Sequence, residues 1–548
     1  MPGFEVPSDW DTFRPSACRR GAGKPLRILL LLVISALFIL FGLIGWPGFH
    51  WDASFFVPVI INVAKGKSWL FDGYSYFSLF RGNNNYDFHG IVQILFFGSF
   101  LRASSVDVLL LLMALVNIST FFVYSRIYAF SLSRHGRDGP WLALLLALIP
   151  AVIGLGLQGR PEQLLPLVFS IPVLVLQRHG DRESLDWIYP FTAFIAVITS
   201  PLPGIVYGVA VTVYFLSKGD RFLPNSRSII TYCAGSFCGL AFVFVLFRAF
   251  VPFSIVTWFV NVFMVGSDTA QFEIPDVLNF RAGRWGYTIA APFCNLVFIS
   301  GILVWLAKLI RNKRLLAMAL LLLSLHPLMS HLADYGYSCF VPLIVMLALD
   351  QDNSLFQGKP LMIKLRLFRR GAFALGMMYF YVLMLLLIFS ADGLFFGTSL
   401  RSTRSFLASQ GLEFSDTSPL VAYSDVTRPS LVALTDNPRS MLTLVPRNDV
   451  DEIAGFGPNR NHDYQVNWLA SLEKLYGRKV GFYLHQQRFP YLRGDLPQAV
   501  RIESIPFDLV ESSWKDWGFW LRFLPMPKAL PTRYSVAVYK RRDLNINP

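Results

Sequence analysis

Residues 188–217 read IYPFTAFIAVITSPLPGIVYGVAVTVYFLS. The stretch is apolar throughout, but Ser200-Pro201-Leu202-Pro203-Gly204 interrupts it. Proline lacks the amide that a helix interior needs, and it drives the residue before it toward extended geometry. A bilayer-spanning helix takes about 20 residues at about 1.5 Å each. Each half, 188–199 and 203–217, is therefore too short to cross alone. Two short helices can meet inside a membrane where the break faces protein or a wet cavity. Whether the stretch counts as one segment or two sets the sidedness of every later loop.

The basic residues decide that count. Further apolar spans read at 27–47, 106–125, 141–158, 163–177, 228–250, 286–307, 315–333, 336–349 and 371–395. With 188–199 and 203–217 they make about eleven helices of membrane type. The first begins RILLLLVISALFILFGLIGW from Arg27. It is too long for a signal-peptide core, and GWPGFHWD after it offers no small-x-small cleavage site. Arg14, Arg19, Arg20, Lys24 and Arg27 precede or open that span, and Arg126, Arg134 and Arg137 follow the second. Arg178 and Arg182 follow the fourth, and Lys218, Arg221 and Arg227 the sixth. Lys308, Arg311, Lys313 and Arg314 follow the eighth, and Lys359, Lys364, Arg366, Arg369 and Arg370 the tenth. Every second loop is basic, which assigns those loops and the N-terminus to the cytoplasm. Reading 188–217 as one span would invert all later loops and break the pattern.

Composition agrees. The chain has 548 residues, 54% of them hydrophobic and only 15% charged, with a mean hydropathy of +0.47. Soluble domains carry about 25% charged residues, so an ordinary cytosolic enzyme, a disordered chain and a secreted disulfide scaffold are all excluded. The net charge of +14 would suggest nucleic acid in a soluble protein. Here the excess sits mostly in the loops assigned to the cytoplasm, so no nucleic-acid partner is expected. The predicted fold is mostly α: a polytopic membrane helical bundle with a small external α/β domain.

The predicted organisation is a cytoplasmic arm (1–26), a transmembrane domain (27–395) with an external loop (48–105), and an external or periplasmic tail (396–548). Ala53–Ala64 and Ile91–Leu101 in the loop are apolar but short, which suits interfacial helices along the membrane surface. The tail shows β-rich runs at 419–424, 441–445, 480–484 and 534–539, and an amphipathic helical pattern at 464–476 stopped by Gly477. It has no cysteine, so no disulfide framework supports it.

Ionisable residues of a membrane domain are functional candidates by default. Asp52 follows the first span, and Asp87 and His89 lie in the same loop. Arg160 and Glu162 occupy the turn Gly159-Arg160-Pro161-Glu162. Arg281 and Arg284 precede the eighth span, and His331 and Asp334 end the ninth. All fall at the external face and leave the bilayer middle nearly free of charge. Ion-coupled transporters bind at the midplane, whereas this layout suits an enzyme working at the surface. Arginines could grip a phosphate-linked head group, and a carboxylate could take a proton from an acceptor hydroxyl. Each candidate also has a plainer reading. Asp52 suits the N-cap of a helix starting at Ala53. Arg160 and Glu162 could be a local ion pair that fixes the turn. Asp87 and His89 could be solvated loop residues, and Arg281 and Arg284 could meet lipid head groups.

The early external Asp in HWDASFF, the helix ending in AKGK, the YDFHG element, the GRPEQLL turn and the external tail together resemble the GT-C superfamily of membrane glycosyltransferases. That group includes protein mannosyltransferases and the aminoarabinose transferases of lipid A. The resemblance covers roughly residues 27–395 and lies in the combined layout. It implies a polyprenyl-phosphate-sugar donor, a glycan, lipid or protein acceptor, and an inverting displacement with Asp52 as catalytic base. By the same resemblance Arg160, Glu162, Arg281 and Arg284 would bind donor phosphate or sugar. Asp87, His89, His331 and Asp334 would be further substrate or metal contacts, with a divalent metal ion as a candidate cofactor. Several relatives carry paired acidic residues where Asp52 stands alone. The implied location is the bacterial inner membrane, with membrane lipids as surroundings. The alternative reading is a transporter or flippase of lipid-linked glycans.

Overall fold

The Val106–Arg134 segment contains no glycine or proline, and it forms an apolar helix of 29 residues. Ser105 begins it, its hydroxyl accepting a hydrogen bond from the Val108 amide at 3.3 Å. Asp107 lies in the first turn, where the helix dipole favours a negative charge. In the computed structural model, residues 23–44, 53–66, 91–134, 140–179, 187–201, 222–250, 419–424, 441–445, 477–487, 498–502, 505–516 and 533–544 are described, with single positions between them. The predicted spans from residue 286 to 395 lie outside the described residues apart from such single positions, as does 203–217 beyond Tyr207.

The helices are α1 (Gly23–Ile44), α2 (Ala53–Ala64), α3 (Val106–Arg134), α4 (Pro140–Gly156), α5 (Leu165–His179), α6 (Ile188–Thr199) and α7 (Phe222–Phe250). A π-helical segment, Ile94–Phe100, precedes α3, and a 3-10 turn, Pro161–Leu164, precedes α5. Among the described residues one helix, Val106–Ser133, is long and apolar enough to cross a membrane. Hydroxyls inside α3 are satisfied locally: Ser119 donates to the Leu115 carbonyl at 2.8 Å and Thr120 to that of Val116 at 2.9 Å. This is the usual way a helix carries Ser or Thr away from water. Tyr124 donates to the Pro166 carbonyl at 2.7 Å and ties α3 to α5.

Helix packing follows small residues. On α1, Ile34, Phe38 and Gly42 are spaced by one turn. Ile34 and Phe38 are buried, and Gly42 meets α3 so closely that a Cβ there would lie 2.8 Å from the Ala114 Cβ. The rest of α1, from Ile28 to Leu43, turns apolar side chains outward. On α7, Gly235 and Gly239 form a GxxxG step against α6. A Cβ on Gly239 would stand 2.9 Å from that of Val197, and one on Gly235 would run into the Pro190 carbonyl. Such small-residue steps let two helix backbones approach closely.

The sequence pattern predicts surface-lying helices at Ala53–Ala64 and Ile91–Leu101. Both segments are helical. Phe56, Val57, Val59, Ile60 and Ile61 are all enclosed, and Gly98 lies against the Ile60 carbonyl. Ten of the twelve residues of α2 are apolar, which suits this burial.

In the tail, β1 (Leu420–Ser424), β2 (Met441–Val445), β3 (Val480–Gln487), β4 (Ala499–Ile502), β5 (Ile505–Asp516) and β6 (Arg533–Arg541) form one sheet in the order β2-β1-β3-β6-β5-β4. Strand β1 runs parallel to β2 and β3, and the remaining pairs are antiparallel. Tyr483, Leu484, Ala537, Val538 and Tyr539 are consecutive and fully buried, so the centre of the sheet is covered on both faces. Gly477 has φ +63°, the left-handed region that glycine favours; the predicted helix 464–476 lies outside the described residues apart from Glu473 and Lys474. Glu473 accepts from the Val480 amide at 2.9 Å and pairs with Arg541, which also holds Asp543. The Arg541 guanidinium keeps the Asp543 carboxyl below the usual carboxylate range. The lower folded value means that the pair adds stability above the unfolded value and loses it as pH falls through the folded one. Asp543 is 55% exposed. Asp543→Asn is therefore expected to cost less than about 1 kcal/mol at neutral pH. In thermal unfolding scans the two proteins should converge as pH drops below the carboxylate range.

Candidate functional site

The turn after α4 is built by three residues in order. Gly159 takes φ +85°, where a side chain would be strained. Arg160 is extended at φ −101° and ψ 148°, as the residue before a proline prefers. Pro161 then opens the 3-10 turn with its fixed φ. This geometry folds Arg160 back over Glu162. The guanidinium donates from Nε to Glu162 Oε2 at 2.9 Å and from Nη2 to Oε1 at 3.3 Å. Each residue is 3% exposed.

The predicted break in 188–217 completes the cluster. α6 ends at Thr199, and Ser200 is extended at φ −152° and ψ 110°. Its hydroxyl donates to Glu162 Oε1 at 2.9 Å. The Gly204 amide donates back to the Ser200 carbonyl at 2.9 Å, so the chain turns at the break. The Ile91 amide bonds the Ile198 carbonyl at 2.9 Å and seats the start of the 91–100 helix beside the same helix end.

Polar side chains on α3 extend the cluster. Gln163 donates from Nε2 to Asn117 Oδ1 at 3.1 Å and to the Met113 carbonyl at 3.2 Å. Gly154 makes room for Asn117, because a Cβ there would overlap the Asn117 amide oxygen. Gln93 and Gln158 are wholly buried, and among the described residues neither amide oxygen nor nitrogen has a hydrogen-bond partner. The same holds for Asn117 Nδ2 and Gln163 Oε1. Each such buried group costs about 1–3 kcal/mol, and native interiors keep very few of them.

The structure thus joins Arg160 and Glu162 and adds Ser200, which sequence reasoning saw only as a break. Arg160 and Glu162 face each other rather than open water, so the plain ion-pair reading holds for their contact. Asp52, Asp87, His89, Arg281, Arg284, His331 and Asp334 lie outside the described residues. Among the described residues no group of three or more His, Cys, Asp and Glu is placed to hold a metal ion. The sequence signal for Gln93, Asn117, Gln158 and Gln163 was their polarity within apolar runs. No family model, characterised protein or solved structure matches this chain.

Proposed function

We propose that the chain is a membrane glycosyltransferase of GT-C type, transferring a sugar from a polyprenyl-phosphate carrier to an acceptor hydroxyl at the external face. The observation that carries the reading is a shared core. One continuous cluster of buried apolar residues contains Phe56 and Ile60 of α2, Ile94 and Phe97, Leu164 of the Arg-Pro-Glu turn, and Ile198 beside Ser200. It runs on through Leu412 to Val421, Phe482, Leu484 and Val538 of the sheet. These are the segments that the charge pattern assigns to the external side. Asp52 directly precedes Ala53, the first residue of α2. The outward apolar faces of α1 and α7, with Leu32 and Phe237 among the most exposed, support a lipid surrounding, since such faces are too large for water.

In this mechanism the acceptor oxygen attacks the anomeric carbon and its proton passes to the Asp52 carboxylate. The bond from that carbon to the phosphate oxygen breaks, and the phosphate leaves with its electron pair. Phosphate is a weak base and needs little help from an acid, so attack from the opposite face inverts the sugar. Asp52→Asn is expected to lower transfer from a radiolabelled polyprenyl-phosphate sugar in membranes by about 10²-fold or more. Transfer at the unaltered rate would remove Asp52 from the chemistry.

A further inference from the structure

We infer that the tail sheet carries a binding site for an uncharged glycan at the carboxyl ends of β1 and β3. Strand order places the site. β1 lies between β2 and β3 and runs parallel to both. The chain therefore leaves β1 for the neighbour on one side and then crosses to the neighbour on the other. In open α/β sheets ligands bind at such a reversal, outside the carboxyl ends of the strands. Here those ends are Ser424 of β1 and Gln487 of β3. Tyr423 stands opposite Leu484, so β3 extends past the end of β1. β6 starts and β5 finishes at this same end of the sheet, because Gln487 stands opposite Ser535 and Ser535 opposite Trp514.

Register then shows which residues share one face at that end. Residues directly opposite on adjacent strands share a face, as do i and i+2 on one strand. His485, Ala537 and Ser512 form one row across β3, β6 and β5. Gln487, Ser535 and Trp514 form the next, and Arg533 and Asp516 the last. Deeper on the same face, Tyr483 and its opposite residue Tyr539 are wholly buried, whereas Ser512 is half-buried. The residues on this face thus change from apolar to polar toward the carboxyl ends of β1 and β3. Covering polar rows without partners is costly, so this end is where a ligand can reach the sheet. Gln487 and Trp514 stand two strand spacings apart, about 10 Å, the scale of one or two sugar rings. The residue types select the ligand. Glutamine, serine and histidine supply both donors and acceptors, as sugar hydroxyls do. Tryptophan supplies a flat apolar ring with one N–H donor, which suits the C–H face of a pyranose. Arg533 and Asp516 hold opposite register positions, so these rows carry no net formal charge with which to attract a polyanion.

The inference deepens the glycosyltransferase reading and rests on it only for the ligand's role, that of acceptor. The test applies the full chain in nanodiscs to an array of immobilised neutral oligosaccharides of glucose, galactose, mannose and N-acetylglucosamine, with inorganic phosphate as competitor. At least one oligosaccharide should bind, and phosphate should not displace it. Trp514→Ala and Gln487→Ala should each weaken that binding at least tenfold. Trp514→Phe, which keeps a flat ring, should retain most of it, and Gln486→Ala, on the opposite face of β3, should leave it unchanged. Melting temperatures check that the variants fold, and if Trp514→Ala does not, Gln487→Ala and Ser535→Ala decide. No oligosaccharide bound, displacement by phosphate, undiminished binding by the folded alanine variants, or an equal loss in Gln486→Ala overturns the inference. The two readings fail separately. Binding that needs Trp514 and Gln487, without any transfer from lipid-linked sugar, sinks the enzyme and keeps the site. Transfer with an acceptor KM unmoved by both alanine substitutions sinks the site and keeps the enzyme.

Discussion

Glu162→Gln is expected to be the most destabilising single change in the described helices. The carboxylate accepts both guanidinium contacts from Arg160 and the Ser200 hydroxyl, and all three residues are 3% exposed. Removing its charge takes a buried carboxylate away from a guanidinium that is 3% exposed. Breaking a buried pair from one side costs about 3–5 kcal/mol, because the surviving charge has lost its partner but not its desolvation. Replacing both members by apolar residues removes that penalty. The double variant Arg160→Met with Glu162→Leu is therefore expected to recover most of the stability that Glu162→Gln loses. Thermal unfolding of the three proteins in one detergent makes the comparison, and the coupling is read from the double-mutant cycle. A Glu162→Gln protein as stable as the parent would mean that the pair is screened by water, contrary to its burial. Under the proposed function the double variant folds but no longer supports transfer, which separates the structural use of the pair from its use in binding.

The second large effect is expected at the α6–α7 contact. Gly239→Val places new atoms against Val197 and within reach of the Phe194 carbonyl, and Gly235→Val drives a side chain into the Pro190 carbonyl. Overpacking typically costs about 1–3 kcal/mol. The Gly235 change should exceed that range, because a backbone carbonyl cannot rotate away as a side chain can. The consequence extends beyond the contact itself. Val197 lies three residues before Ser200, so separating α6 from α7 also draws Ser200 away from Glu162. Phe237 lies between the two glycines on the outward face and is 71% exposed. Phe237→Ala is the matched control, with little change expected. Melting temperatures of the three variants check the face assignment. A Phe237→Ala loss equal to that of Gly235→Val would place the helix contact on the other side of α7.

Much of the local structure was legible because it is fixed by residues adjacent in sequence. Gly159, Arg160 and Pro161 each adopt the backbone region that their own chemistry prefers, and the turn follows. The break at Ser200-Pro201 follows from proline in the same way. The β1, β2, β3 and β6 runs are rich in branched and aromatic residues, and the structure has strands there. Strands β4 and β5 went unread because β5 carries Pro506, Asp508, Glu511, Lys515 and Asp516 and shows no clean alternation. Its length comes from pairing with β6 from Phe507 opposite Arg541 to Asp516 opposite Arg533, with a bulge after Leu509. The GxxxG step at Gly235 and Gly239 was present in the sequence, but its partner helix was not.

By itself the sequence showed which of the described segments are apolar helices, where one of them breaks, which loops are basic, and where glycine and proline force a turn. These are short-range properties, set by steric limits on one or two residues and by the cost of placing charge in an apolar medium. Only the tertiary structure decided that Ser200, 38 positions further along the chain, closes on Glu162, and that Phe56, Val57, Val59, Ile60 and Ile61 of α2 are enclosed. Nor could sequence have shown that Gln93 and Gln158 bury their amides without partners among the described residues. Hydrogen-bond satisfaction and burial depend on which atoms arrive from distant segments. No periodicity along one segment contains that information.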